Sequence, residues 1–234
     1  MSERSFLIKN GWLVSSKGIK QLDIRMSNGV FTEIGEHLSA KPTEHVIDAS
    51  GKYIFPGLID THVHFREPGL SYKATWLTES AAALAGGVTT VFDMPNTEPA
   101  TLSPTLVKEK LALAKQNARC NYGVFLGISA ANCQELSKFD LTDTDFVALT
   151  DDGLYFNNDE GILANYPEFL EKLFSRTETL VALHSEDDGI IKNNTHFYRE
   201  KFGETIPFEF HPKIRSEEAC LTATKRVLEI AKKH

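Results

Sequence analysis

From residue 53 to the end of the chain, short apolar runs of strand length alternate with longer stretches whose apolar residues recur at helical spacing. Strands are expected over residues 53–64, Val88–Met94, Asn121–Ile128, Asp145–Thr150 and Thr179–His184. Between and after them the helical period predicts Tyr72–Ala85, Pro104–Asn117, Ala131–Ser137, Asn165–Phe174 and Ser216–Lys233. Ser103 is placed to cap the second of these ahead of Pro104, and Gly86-Gly87 to end the first. Strands joined through helices pair in parallel, so the rhythm predicts an α/β fold, either an open doubly wound sheet or a TIM-type β/α barrel. A closed barrel needs eight strands and roughly 250 residues, against about five strands legible here, so an incomplete barrel is expected, the front portion of a longer protein.

Residues 1–52 follow a different rule. Runs at Phe6–Leu13, Ile19–Met26, Val30–Ile34 and His45–Ile47 are short and loosely alternating, with Ser27-Asn28-Gly29 as a hairpin turn. They predict a small β-sandwich-like segment of antiparallel strands, a scaffold carrying no chemical constellation. The expected division is therefore 1–52 for this segment and 53–234 for the barrel portion.

The polar residues that interrupt the apolar pattern collect at predicted strand ends. His62 and His64 stand one residue apart in FPGLIDTHVHFREPG, so an extended backbone turns both imidazoles to one face while Val63 enters the apolar layer. Asn96 follows the second strand in DMPNT, Asp151 and Asp152 follow the fourth in TDDG, and His184 closes the fifth in VALHSED. In parallel barrels the carboxyl ends of the strands form the reactive rim. Three histidines and a carboxylate on such a rim suit one or two borderline divalent ions such as zinc, with the carboxylate able to bridge, and that is chemistry for hydrolysis. Asp60 is placed to orient a histidine or the strand rather than to bind metal. His37, His45, His196, His211 and His234 show no strand-end pattern and read as ordinary surface or core residues.

Composition narrows the partners. The formal net charge is −7 and no basic stripe is present, which argues against nucleic acid. Cys120, Cys133 and Cys220 are widely separated without a metal or disulfide spacing, as in a reduced, cytoplasmic protein. No run approaches the length needed to span a bilayer, so no membrane association is expected.

FPGLIDTHVHFREPG followed by AGGVTTVFDMPNTEP resembles the dihydroorotase family of the amidohydrolase superfamily, over nearly the whole chain. Asp-x-His-x-His implies only metal-dependent hydrolysis; FREPG and MPNT are narrower. The resemblance implies that Arg66 and Asn96 hold the substrate carboxylate of dihydroorotate or N-carbamoyl-L-aspartate in pyrimidine biosynthesis, and a guanidinium fork suits that task. It implies metal ligation by His62, His64, Asp152 and His184, with Asp151 in reserve for Asp152, since TDDG is similar to the motif of a subgroup without a carboxylated lysine. The remaining histidine ligand and the general acid–base aspartate are then expected beyond residue 234, and this chain alone is expected to turn over little or not at all. Allantoinase or hydantoinase is the nearer alternative, and allantoinases usually lack the arginine. A non-catalytic dihydroorotase-like subunit supporting aspartate transcarbamoylase is the more distant one. The implied partners are a small-molecule substrate and either further copies of the chain or an aspartate transcarbamoylase.

Overall fold

The computed structural model describes residues 5–129, 132, 145–154 and 163–234. Its contacts divide the chain into two compact units, Met1–Gly57 and Leu58–His234.

In the first unit β1 (Ser5–Ser15), β2 (Gly18–Ser27) and β3 (Val30–Gly35) form an antiparallel meander. Asn28 and Gly29 join β2 to β3 with φ of 50° and 83°, the two left-handed residues that a tight hairpin needs. The expected all-antiparallel, sandwich-like arrangement is corrected here. β4 (His45–Asp48) and β5 (Tyr53–Ile54) both pair in parallel with β1, giving one mixed five-stranded sheet. A two-residue turn can only reverse the chain, whereas the connection over residues 36–44 is long enough to carry it back to the far side of β1. Leu7, Ile24 and Ala49 are buried in this unit. Tyr53 and Ile54, which read in the sequence as the start of the next strand, belong to this sheet.

The second unit is mixed α/β. Its strands are β6 (Leu58–Val63), β7 (Val88–Asp93), β8 (Asn121–Val124), β9 (Leu126–Gly127), β10 (Leu149–Thr150) and β11 (Val181–Ala182). Every pairing among them is parallel, in the orders β6-β7-β8 and β9-β10-β11. β8 and β9 flank Phe125, whose N–H donates to the Asp93 carbonyl at 3.0 Å, so the strands lie side by side in chain order. Helices α1 (Trp76–Ala85) and α2 (Pro104–Asn117) make the first crossovers, and α3 (Pro167–Phe174) joins β10 to β11. α4 (Asp188–Phe202), α5 (His211–Ile214) and α6 (Glu217–Ala231) follow. Trp76, Val91, Val107, Val124, Leu126 and Leu149 form the centre of the core.

Helix starts are set by local chemistry. Thr75 and Thr78 bond each other's backbone N–H in a capping box, so α1 begins at Trp76 and not at Tyr72. Ser103, Asp187 and Ser216 each accept a backbone N–H three residues on, opening α2, α4 and α6. The strands at 149–150 and 181–182 are shorter than the apolar runs that contain them. The helix expected over 131–137 lies outside the described residues except for Asn132. Among the described residues no helix is long and apolar enough to cross a membrane.

Candidate metal centre

The parallel sheet brings strand ends together, and the side chains there meet. His62 Nε2 lies 3.0 Å from Asp152 Oδ2, His64 Nε2 lies 3.3 Å from the same oxygen, and the two Nε2 atoms are 3.3 Å apart. Asp152 turns its other oxygen to His184, with Oδ1 3.4 Å from Nδ1. One carboxylate from the β10 end thus faces two histidines of the β6 end and one of the β11 end.

Two hydrogen bonds fix which ring nitrogen points inward. His64 Nδ1 donates to Asn96 Oδ1 at 2.8 Å, leaving Nε2 with a lone pair aimed at Asp152. His184 Nε2 lies 2.6 Å from Glu186 Oε2, so Nδ1 is the nitrogen turned to the centre. Lone pairs converging on a carboxylate call for a cation between them. Ligands about 2.0–2.1 Å from a tetrahedral ion are ~3.3 Å apart along the edges of the tetrahedron. The 3.0–3.3 Å separations of His62, His64 and Asp152 match that spacing, and these three form a group able to hold a metal ion.

The neighbouring acids do different work. Burial raises the Asp152 carboxyl, but positive charge on the facing histidines when protonated, with His184 then hydrogen-bonded to it and His62 and His64 close by, outweighs burial and holds it below the ordinary carboxylate range. A cation in their place would exert the same pull. Burial lowers His184, and its contacts with Asp152 and Glu186 outweigh that and raise it. Asp151 points the other way. Its oxygens accept the backbone N–H of His184 at 2.8 Å and of Leu163 at 3.0 Å, tying β10 to the end of β11, and burial pushes it up to about 6. Asp60 Oδ1 accepts the His62 N–H at 3.1 Å.

Of the residues singled out in the sequence, His62, His64, Asp152 and His184 are brought together, and Asn96 is buried against His64. Arg66 is half-buried two residues beyond His64, with φ of 65°, and is absent from the lining of the cleft formed by His62, Met94, Asp152, His184, Glu186 and Arg215.

Sequence reasoning missed a buried ion pair beneath the site. Lys110 of α2 reaches Asp93 Oδ2 at 2.6 Å and donates to the Met94 carbonyl at 2.6 Å, while Asp93 Oδ1 accepts the Phe65 N–H at 2.7 Å. Burial pushes the Lys110 ammonium below the ordinary lysine range, and the Asp93 carboxylate opposes this. The pair therefore pins the residue after His64 and the carbonyl two residues before Asn96. Lys110 stands three residues after Val107 and four before Ala114, on the buried stripe of α2, and Asp93 interrupts an otherwise uncharged strand. Those two misplaced charges were the signal.

A model of the dihydro-orotase-like family matches residues 51–204. The chain belongs to that family. Within the matched span lie His62, His64, Arg66, Asn96, Asp152, His184 and Glu186. A dihydroorotase of Methanosarcina acetivorans is 31% identical over 227 residues, covering 95% of this chain and 46% of the relative. A dihydroorotase of Trichlorobacter lovleyi is 39% identical over 162 residues, covering 67% of this chain and 38% of the relative. An allantoinase of Desulfitobacterium hafniense is 39% identical over 139 residues, covering 59% and 31%. The chain of this dihydro-orotase-like protein thus spans about half or less of the length of the relatives it matches. Among solved structures, L-hydantoinase of Arthrobacter aurescens superposes with a TM-score of 0.84 at 24% identity, covering 97% of this chain and 50% of that one, which shows the fold.

Gly153 supplies a local test of the TDDG turn. Its φ is 74°, and a Cβ there would stand 2.4 Å from Asn96 Nδ2. Gly153→Ala is expected to cost about 1–3 kcal/mol from the left-handed backbone alone, read as a lower urea midpoint, and to displace Asn96 from His64. An unchanged midpoint would contradict this.

Proposed function

We propose that this chain forms the amino-terminal portion of a metal-dependent cyclic amidohydrolase that interconverts dihydroorotate and N-carbamoyl-L-aspartate. The convergence of His62, His64 and Asp152 on one point at the carboxyl ends of parallel strands is the observation that carries the reading. In it the five parallel strand positions belong to a TIM-type β/α barrel, and zinc, as one or two ions, is held by His62, His64, Asp152 and His184. Bound zinc supplies Lewis-acid polarisation of the scissile carbonyl and a nucleophile at neutral pH.

The chain's own residues account for the rest. Asn96 and Glu186 hold the rings of His64 and His184 with their lone pairs inward. Asp152, with Oδ2 toward His62 and His64 and Oδ1 toward His184, would balance the ion's charge. Arg66 supplies a planar fork for the substrate carboxylate, reaching it with Asn96. Dihydroorotase is favoured by Arg66 in FREPG and by dihydroorotase relatives that align along 95% of the chain. A hydantoinase or allantoinase is the second reading, favoured by the allantoinase relative that is 39% identical over 139 residues.

A side-by-side assay of the zinc-loaded full-length protein, which carries the segment beyond residue 234, on carbamoyl aspartate, hydantoin and allantoin separates them. Carbamoyl aspartate is expected to give the highest kcat/KM by at least about tenfold, and Arg66→Ala to raise its KM, because a bidentate charge-assisted contact contributes ~1.5–3 kcal/mol. Preference for hydantoin or allantoin would overturn the assignment.

A further inference from the structure

We propose that Glu186, braced by Arg215, is a positioning residue that sets the ring of His184. The proposal rests on the metal-centre reading and adds to it a residue outside the ligand set.

Glu186 lies two residues beyond His184, where the chain leaves β11 for α4. Its Oε2 takes the His184 Nε2 hydrogen at 2.6 Å and also receives Arg215 Nη1, which comes from the turn between α5 and α6. A carboxylate that accepts the Nε2 proton leaves the lone pair on Nδ1, the nitrogen 3.4 Å from Asp152. Arg215 makes the arrangement rigid: with its guanidinium on the same oxygen, Glu186 cannot swing out to water without breaking two charged contacts. The Glu186 side chain is only 14% exposed.

Ser185, Glu186 and Asp187 are each tied to α6 or to Arg215, which leads into it, while the His184 N–H donates to Asp151. Ser185 Oγ accepts from Thr224 Oγ1 at 3.1 Å, the Asp187 N–H donates to the Ala219 carbonyl at 3.0 Å, and Arg226 reaches Asp187 Oδ2 at 2.6 Å. Asn165 Nδ2 donates to the Glu186 carbonyl at 2.9 Å. A turn whose only task was to start α4 would need the Asp187 cap alone. Here successive residues are each bonded, and the one directed at a candidate ligand carries the charged pair. The chemistry also assigns Arg215: although it lines the cleft, its Nη1 is engaged with Glu186, so it acts through His184 and not on a substrate anion.

Zinc affinity of the full chain, measured by competition with a chromophoric chelator, tests this without any substrate. Glu186→Ala is expected to weaken zinc binding about 10–100-fold, and Glu186→Gln, which keeps an acceptor oxygen, to weaken it less. In a His184→Ala background, Glu186→Ala is expected to change affinity no further, because its effect runs through that ring. Ser185→Ala, in the same turn, is expected to leave affinity within about twofold, which separates positioning from general loosening of the turn. Thermal melts of the metal-free variants check the fold, and Glu186→Gln keeps the comparison available should the alanine variant unfold. Wild-type affinity in both Glu186 variants, or full additivity with His184→Ala, would overturn the proposal while leaving the metal centre intact. A wild-type chain that binds no zinc would overturn the metal-centre reading and this proposal together.

Discussion

Lys110→Ala is expected to remove about 3–5 kcal/mol of unfolding free energy, the usual result of breaking a buried ion pair from one side. Lys110 is 1% exposed and Asp93 is fully buried, so the variant leaves a carboxylate in the core with, among the described residues, the Phe65 N–H as its side-chain hydrogen-bond partner. Deletion of Asp93 would have a second cost, since Phe65 would lose its acceptor and an orphaned buried donor costs ~1–3 kcal/mol. The informative variant is therefore the double replacement Lys110→Met with Asp93→Asn, which removes both charges but keeps an oxygen for Phe65. It should recover more than half of the loss. Urea unfolding at constant m-value reads the effect as a shift in midpoint. A midpoint for Lys110→Ala equal to that of the wild type would show that the pair contributes nothing. Because the same pair pins Phe65 and the Met94 carbonyl, the variant is also expected to loosen the backbone around His64 and Asn96.

Asp152→Ala is expected to abolish tight zinc binding, with a loss larger than the ~10–100-fold typical of residues that only support a ligand. Its carboxylate faces His62, His64 and His184 together, and no other acidic oxygen among the described residues is recorded within reach of all three. Asp151→Asn should behave differently despite being the next residue. Both Asp151 oxygens accept backbone N–H groups, so the amide loses one acceptor, and its effect should fall mainly on stability, with zinc affinity reduced by less than tenfold. Chelator competition and urea unfolding on the same two variants would settle the division of labour. Equal zinc affinities for the two variants would contradict it.

Local signals were legible in the sequence, and long-range ones were not. Ser103 ahead of Pro104 and the Asn28-Gly29 turn each rest on chemistry within a few residues, and each appears in the structure where the sequence put it. The strand-end placement of His62, His64, Asp152 and His184 was legible because parallel strands share one carboxyl rim. The parallel return of β4 and β5 was not, since pairing partners depend on how residues 36–44 cross the sheet. α4 is marked in the sequence by the acidic Glu186-Asp187-Asp188 at its start, which reads as a solvated helix start, and by nothing along its length: none of its residues is buried, so no apolar stripe runs through it. The choice between Asp151 and Asp152 depends on side-chain direction, which a run of two aspartates conceals. Arg215 is 29 residues from Glu186, and no periodic pattern connects them.

The most direct measurement is a crystal structure of the chain grown with zinc, with anomalous data collected at the zinc edge. The account predicts an anomalous peak about 2.0–2.3 Å from His62 Nε2, His64 Nε2 and an Asp152 oxygen. Zinc-saturated crystals with no peak at that point, or with the rings of His62 and His64 turned away from Asp152, would contradict it.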